Sequence, residues 1–276
     1  MSRYLITVDL DGTLLRDDKT ISERNVRALQ AAREAGHEVM IATGRPQRHS
    51  IMYYEELGLT TPLINFNGAL VHHPKDPSYE VTHRPIPLKT AHEIIEEVSE
   101  TKAHNIVVEV TDHVYFHKDP QEFYSPYAER ALSVTSGNLL KHLQEEPTSL
   151  LIHATKEHVD NVRARLNKVH AEAVLNRQWR MPEHMIEVMS QNTSKALGLR
   201  EVSKHLGINR KNIIAFGDEE NDLEMLDYVG TGVAMGNAIS QLKAVADEVT
   251  ASNMEDGIAI YLEEKLGIKA IKQLPR

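Results

Sequence analysis

The 276-residue chain contains no cysteine, which excludes disulfides, thiolate zinc sites and cysteine nucleophiles together. It also lacks an excess of positive charge. Its 31 Lys and Arg stand against 40 Asp and Glu, a formal net charge of -9. That balance offers no basic footprint for nucleic acid and suits ordinary solubility. No apolar run approaches the ~20 residues of a membrane span. Met1-Ser2-Arg3-Tyr4 leads straight into an apolar segment, from which we expect no signal peptide. Repeats and low-complexity tracts are absent as well. These absences together lead us to expect a cytoplasmic protein that contacts neither nucleic acid nor membrane, with a monomer as the expected state. The length allows one large domain or two modest ones.

What the chain does have begins with Leu5-Ile6-Thr7-Val8, a β-branched, apolar run that ends at Asp9-Leu10-Asp11-Gly12-Thr13-Leu14. This pattern describes a buried strand whose C-terminal end opens onto a loop, the end at which open α/β sheets bind ligands. Two acids one residue apart repel each other there unless a cation joins them. A metal-dependent site follows, in which one carboxylate can serve as a nucleophile.

The first part of the chain alternates strands and helices. A helix from Ile21-Ser22-Glu23 to Gly36, with Ser22 as N-cap, precedes a strand over His37–Ala42 that ends at Thr43-Gly44-Arg45-Pro46. A helix to Leu57-Gly58 and a third strand over Pro62–Phe66, closed by Asn67-Gly68, follow. This order implies a parallel sheet with right-handed crossovers. From about Arg84 the pattern changes. A helix over Leu88–Glu100 precedes a hairpin of Ile106–Val110 and His113–Phe116. Further strands fall at Ser149–His153, Ala173–Leu175 and Met185–Met189, with a helix over His158–His170 among them. Hairpins mixed with helices point to an α+β module with an antiparallel sheet. After Ser190 the alternation returns: helix Ser194–Leu206, strand Ile213–Phe216 ending at Gly217-Asp218, helix Glu220–Tyr228 and strand Gly232–Met235. The expected architecture is a Rossmann-like, doubly wound α/β core from residues 1–84 and 190–276, split by an α+β insertion over 85–189.

Three expected strand ends carry polar residues: Asp9 and Asp11; Thr43; and Asp218 with Asn221 and Asp222. A doubly wound sheet converges such ends on one crevice. Lys195 opens the helix after the insertion, where its ammonium and nearby backbone N–H groups favour an anion. Three acids for a hard cation, with a lysine and a threonine for an oxyanion, describe a Mg²⁺-assisted phosphoryl-transfer site.

These same residues carry a resemblance. Asp9-Leu10-Asp11-Gly12-Thr13, Thr43-Gly44-Arg45, Lys195 and Gly217-Asp218-Glu219-Glu220-Asn221-Asp222 resemble the four ordered motifs of the haloacid dehalogenase (HAD) superfamily. Asn65-Phe66-Asn67-Gly68-Ala69 and Ser252-Asn253-Met254-Glu255-Asp256-Gly257 resemble its Cof-type branch, subfamily IIB, and the insertion sits where that branch places a C2-type cap. The resemblance implies a phosphatase for small phosphorylated metabolites, sugar phosphates or related compounds, working through an aspartyl phosphate. It implies Asp9 as nucleophile and Asp11 as the acid and base that serves the leaving oxygen and then water, a role that calls for raised proton affinity. Mg²⁺ would lie on the Asp9 carboxylate, the Asp11 carbonyl and Asp218. Thr43, Gly44, Lys195, Asn221 and the Leu10 amide would hold phosphoryl oxygens. Asp222 is expected to orient Lys195 or metal-bound water, with Arg45 and Asn67 as possible support. The family often has Gly directly after the motif lysine and Ala three positions after it; Ala196 and Gly198 exchange them.

Other readings share these residues. A phosphomutase would need the aspartyl phosphate to outlive substrate reorientation, and a phosphometabolite sensor would keep the crevice without turnover. Arg45 fits a surface salt bridge as well as a substrate contact, and Asn67-Gly68 fits a tight turn. Glu219 and Glu220 read as acids at a helix N-terminus. The 15 histidines, His72-His73 and His113/His117 included, show no spacing that groups them into a metal site. Trp179, His184 and Met181-Pro182-Glu183 lie in the insertion, where packing or exposure explains them better than substrate contact.

Overall fold

The computed structural model describes residues 3–101, 103–120, 124–179 and 184–268. It divides into two compact units: residues up to Arg45, Ser50–Val81 and from Ser194 onward form the first, Pro46–His49 and Thr82–Thr193 the second. Along the first unit run β1 (Leu5–Val8), α1 (Glu23–Glu34), β2 (Glu38–Ile41), α2 (Ile51–Glu56), β3 (Leu63–Asn65) and β4 (Leu70–His72). The second unit holds β5 (Thr82–His83), α3 (Leu88–Ser99), β6 (Asn105–Val110), β7 (His113–Phe116), α4 (Ser125–Ala128), β8 (Ser133–Ser136) and α5 (Leu139–His142). It continues with β9 (Ser149–His153), α6 (Val159–Val169), β10 (Val174–Gln178) and β11 (Met185–Ser190). The chain returns to the first unit with α7 (Lys195–His205), β12 (Ile213–Gly217), α8 (Leu223–Tyr228), β13 (Thr231–Ala234), α9 (Ser240–Val245), β14 (Glu248–Val249) and α10 (Gly257–Lys265).

In the first unit a five-stranded parallel sheet has the order β14-β13-β12-β1-β2. Strand order therefore runs outward in both directions from the β1–β12 boundary, which makes that boundary the topological switch point, where a crevice opens beyond the strand ends. The registers Val8↔Phe216 and Val8↔Ile41 bring the three strands to the same edge, so Asp9, Asp218 and Thr43 emerge together. β1 is buried throughout, as expected for a central strand covered on both faces. Leu5, Ile6, Val8, Ile41, Ile213 and Phe216 anchor the core, each worth about 1.5–3 kcal/mol on burial. Ser22 caps α1 by accepting from the Asn25 amide at 3.1 Å.

The third strand keeps the expected parallel sense to the second but over a single bridge. β3 pairs antiparallel with β4 and joins β2's extension only through the parallel bridge Ala42↔Ile64, because the tight turn after Phe66 folds the chain straight back. The expected helix from Pro46 is also interrupted. A single 3-10 turn, Gln47–His49, precedes α2, and that turn clusters with the second unit. The helix expected from Glu220 opens as a 3-10 turn over Glu220–Asp222 before α8.

The second unit holds a six-stranded sheet, β10-β11-β9-β6-β7-β8. Four of its five pairings are antiparallel, but β7–β8 is parallel. The sheet is therefore mixed rather than the antiparallel sheet expected. The difference lies in β8, whose polar run Ser133-Val134-Thr135-Ser136 carries no alternation that marks a strand. Ala91, Ile94, Ile95 and Val98 of α3, at helical spacing, bury one face of the sheet with Ile106, Val108 and Ile152. Val107, Leu151 and Met185 pack on the other face with Phe116 and Tyr124. Trp179 packs on that second cluster and donates from Nε1 to Glu187 at 3.2 Å. His184 takes a left-handed φ of 63°, and Met181-Pro182-Glu183 lies outside the described residues.

Candidate active site

Every residue that the sequence singles out for phosphoryl transfer lies in the first unit. At its centre is Lys195, the first residue of α7, whose helix starts at Ser194 as N-cap. Lys195 is fully buried, and its Nζ donates to Asp9 Oδ1 and to Asp222 Oδ1, each at 2.7 Å. Asp222 Oδ2 accepts from the backbone amides of Asp218 (2.9 Å) and Glu219 (3.1 Å). Both Asp222 oxygens are thus engaged, which makes it an orienting group for Lys195 and for the turn after β12. Glu219 and Asp222 form a reciprocal capping box at that turn, so Glu219 belongs to the helix start.

Asp218 is fixed from the β1 loop. Thr13 Oγ1 donates to Asp218 Oδ1 at 2.9 Å, and Gly12 turns with φ +74° directly beneath the same carboxylate, where a Cβ would overlap its oxygens. The Leu10 carbonyl accepts from Leu15 N at 2.8 Å and Thr13 N at 3.3 Å, closing the loop over a fully buried side chain. Thr43 Oγ1 accepts from Arg45 N at 3.1 Å. Gly44 leaves room for the Asn67 amide, which a Cβ would approach to 3.1 Å. Asn67 in turn accepts from Asn221 Nδ2 at 2.9 Å, linking the β2, β3 and β12 strand ends. The exchanged small residues on α7 also have a physical reason: a Cβ on Gly198 would come within 3.2 Å of the Ile64 and Val71 side chains, so glycine lets this helix lie close on the β3–β4 hairpin without moving them.

Asp9, Asp218 and Asp222 offer oxygens that all lie within 4.8 Å of one another. Among the described residues no other group of three or more His, Asp or Glu could share an ion. Burial pushes the Asp9 carboxyl well above the ordinary range, Lys195 opposes that shift, and Asp222 adds to it. Burial likewise raises Asp218, reinforced by the Asp9 and Asp222 charges. Burial acts to lower Lys195, but Asp222 and Asp9 together hold it up at about 12. The cluster therefore has more carboxylates than cations. The donor set is all oxygen and of the hard type that suits Mg²⁺, so the residues fit a divalent cation.

Asp11 departs from expectation. Its carboxylate accepts from Arg45 Nε (2.6 Å) and Nη2 (2.7 Å) and from Lys19 Nζ (2.8 Å). Burial would raise this carboxyl, but the Arg45 bonds and charge, followed by those of Lys19, outweigh it and bring it down to about 2. An acid that must hold a proton needs the opposite setting. The cause is the two cations, which the sequence places 34 and 8 positions away. Arg45 is therefore the partner of Asp11, and its guanidinium also lies 5.5 Å above the Tyr53 ring.

Sequence reasoning missed Thr13 as a brace for Asp218, Lys19 beside Asp11, and the contacts of Asn65, which it quoted only within a family motif. Thr13 had a signal, since it follows the acid pair directly within the motif. Asn65 hid in an apolar strand.

Residues 6–262 match a family model described as haloacid dehalogenase-like hydrolase. The chain is 47% identical over 261 residues to the 5-amino-6-(5-phospho-D-ribitylamino)uracil phosphatase YitU of Bacillus subtilis, covering 95% of this chain and 97% of that protein. It is 30% identical over 275 residues to the pyridoxal phosphate phosphatase YbhA of Escherichia coli, covering 96% and 100%. Among solved structures, the HAD subclass IIB sugar phosphatase BT4131 matches with a TM-score of 0.80 at 26% identity, covering 96% of this chain and 100% of that one.

Proposed function

Because the chain belongs to the haloacid dehalogenase-like hydrolases, in their Cof-type branch, we propose that it is a Mg²⁺-dependent phosphatase of small phosphorylated metabolites that works through an aspartyl phosphate on Asp9. The observation that carries this reading is Lys195, fully buried and spanning Asp9 and Asp222 by two 2.7 Å bonds. A lysine so placed holds one Asp9 oxygen still and leaves the other for phosphorus. Splitting the displacement in two at a carboxylate makes each step easier.

Asp9, Asp218 and the Asp11 carbonyl would hold Mg²⁺, which supplies charge neutralisation at the phosphoryl group. Thr43, Gly44, Lys195, Asn221 and the Leu10 amide would bind the phosphoryl oxygens as fixed donors. Asp11 would pass a proton to the leaving oxygen and later take one from the attacking water. To give a proton it must first take one up from solvent, which its Arg45 and Lys19 bonds oppose, so release from those cations and proton transfer are linked at this residue. Residues 85–189 would act as the cap that selects the leaving group.

The substrate class is a phosphomonoester of a sugar or a related small metabolite. The phosphoribitylaminouracil named for the Bacillus relative is the first compound to assay, and pyridoxal phosphate the second. Asp9→Asn should abolish Mg²⁺-supported phosphate release from every substrate while the melting temperature stays near wild type. Hydrolysis at near wild-type rate by that variant overturns the mechanism.

A further inference from the structure

Asn65 is a fully buried amide at the end of an otherwise apolar three-residue strand. Packing gives no reason for a polar side chain there, and an amide is costly to bury unless its groups are paired. Its Nδ2 donates to the Arg45 carbonyl and to Ser50 Oγ, each at 2.8 Å. A carbonyl can only accept, which fixes the orientation of the amide and turns Oδ1 toward His72 Nε2 at 2.9 Å. That imidazole nitrogen must then carry the hydrogen. His72, itself buried on β4, thus holds the amide from behind.

The following two residues point the same way. Phe66 and Asn67 adopt φ of 47° and 53°, a left-handed conformation that is strained for residues with side chains. The bend sends the Phe66 amide to the Arg45 carbonyl at 3.2 Å and the Asn67 amide to the Thr43 carbonyl at 3.0 Å. The backbone of Thr43-Gly44-Arg45 is therefore fastened by three donors from one short segment. Its front carries Thr43 Oγ1 and the Arg45 guanidinium that grips Asp11.

We propose that Asn65, oriented by His72, is a positioning residue that sets the Thr43–Arg45 loop for binding the phosphoryl group. This rests on the phosphatase reading above. It goes beyond that reading by assigning the precision of the phosphate loop to a buried His72–Asn65 pair that touches no substrate.

The experiment measures calorimetric affinity for inorganic phosphate in Mg²⁺, kcat and KM, and melting temperature, on wild type, Asn65→Leu, His72→Phe and His72→Gln. Asn65→Leu should weaken phosphate binding about tenfold, the size expected for one lost hydrogen bond to a positioned group, with KM rising in parallel. His72→Phe should weaken it severalfold, and His72→Gln, which can still donate to Asn65 Oδ1, should return to within about twofold of wild type. A purely packing role would lower the melting temperature of both His72 variants and leave phosphate affinity alone. If Asn65→Leu does not fold, the two His72 variants carry the test. The proposal is overturned by a folded Asn65→Leu or His72→Phe with unchanged phosphate affinity, or by His72→Gln binding as weakly as His72→Phe. Wild type that neither binds nor releases phosphate would instead remove the phosphatase reading, so the two failures are distinct.

Discussion

Each unit of the molecule buries one cation among acids, and the two clusters differ in their balance. In the first unit Lys195 faces Asp9 and Asp222, with Asp218 beside them. One positive charge meets three carboxyls, and burial drives two of those carboxyls toward the protonated form. In the second unit Arg48 pairs with Glu109 and lies 3.6 Å from Asp112. Its terminal nitrogens also donate to the carbonyls of Thr111 (3.2 Å) and Tyr127 (3.0 Å), while Glu109 accepts from Ser149 at 2.8 Å. That group also has two acids to its one cation and leaves Arg48 Nε unpaired, but its carboxylates and guanidinium are braced by two carbonyls and a hydroxyl. Three carboxyls converging on one point, two of them with raised proton affinity, mark a place that something else completes; an ion pair braced by neutral partners marks a scaffold.

Substitution of the two cations breaks or sharpens this contrast. Lys195→Met should lower kcat by at least 10²–10³-fold, the scale of losing a fixed charge-stabilising donor, whereas Arg48→Met should leave kcat within a few-fold. Steady-state kinetics on both variants checks the difference, and an Arg48→Met loss as deep as that of Lys195→Met would erase the distinction. Next in size is stability. Arg48→Met strands Glu109 and should cost about 3–5 kcal/mol in denaturant titration, while the double change Arg48→Met with Glu109→Leu should recover most of that. No recovery would mean that Arg48 contributes chiefly through its carbonyl contacts.

The smallest effect concerns pH. Asp9 and Asp218 are raised by folding, so the native state keeps protons that the unfolded chain gives up once pH passes about 4. The metal-free protein should therefore lose stability as pH rises from there toward neutrality. Mg²⁺ should restore about 2.7 kcal/mol at 100 times its dissociation constant and flatten that slope. Melting curves from pH 5 to 8 with chelator or with Mg²⁺ test this. Buried His37 and half-buried His83, His117 and His153, whose proton affinity burial lowers, contribute the opposite slope. A metal-free slope left unchanged by Asp9→Asn and by Asp218→Asn would therefore show that these carboxyls stay ionised in the fold.

Much of the first unit was legible because its signals are local. Apolar runs ending in Asp9, Thr43 and Asp218 marked β1, β2 and β12, and the sheet order brought those ends together. What the sequence concealed was pairing at long range. Arg45 beside Asp11 reverses the expected proton affinity of that acid, and no spacing rule connects residues so far apart. Asn65 stood within a family motif, but its contacts were concealed for a different reason, since a polar residue ending an apolar strand looks like the start of a turn. In the second unit, β8 lacks an apolar alternation altogether, and its parallel pairing with β7 depends on a connection through α4 that periodicity does not reveal. No helix among the described residues is long and apolar enough to cross a membrane.

The turn at Gly68 has a bearing on how this chain can change. With φ +98°, it lies so close to the Ser194 carbonyl that a Cβ would overlap it. The chain leaves the first unit after Val81 and returns at Ser194, so the backbone that delivers Lys195 packs against the Gly68 turn at the point of return. The whole stretch between is, to the first unit, a closed loop. Closing such a loop grows costlier only with the logarithm of its length, about 0.6 kcal/mol for each doubling. A lineage could therefore lengthen, trim or replace the inserted stretch with little thermodynamic resistance, whereas a single methyl group at position 68 would meet the backbone that carries the lysine.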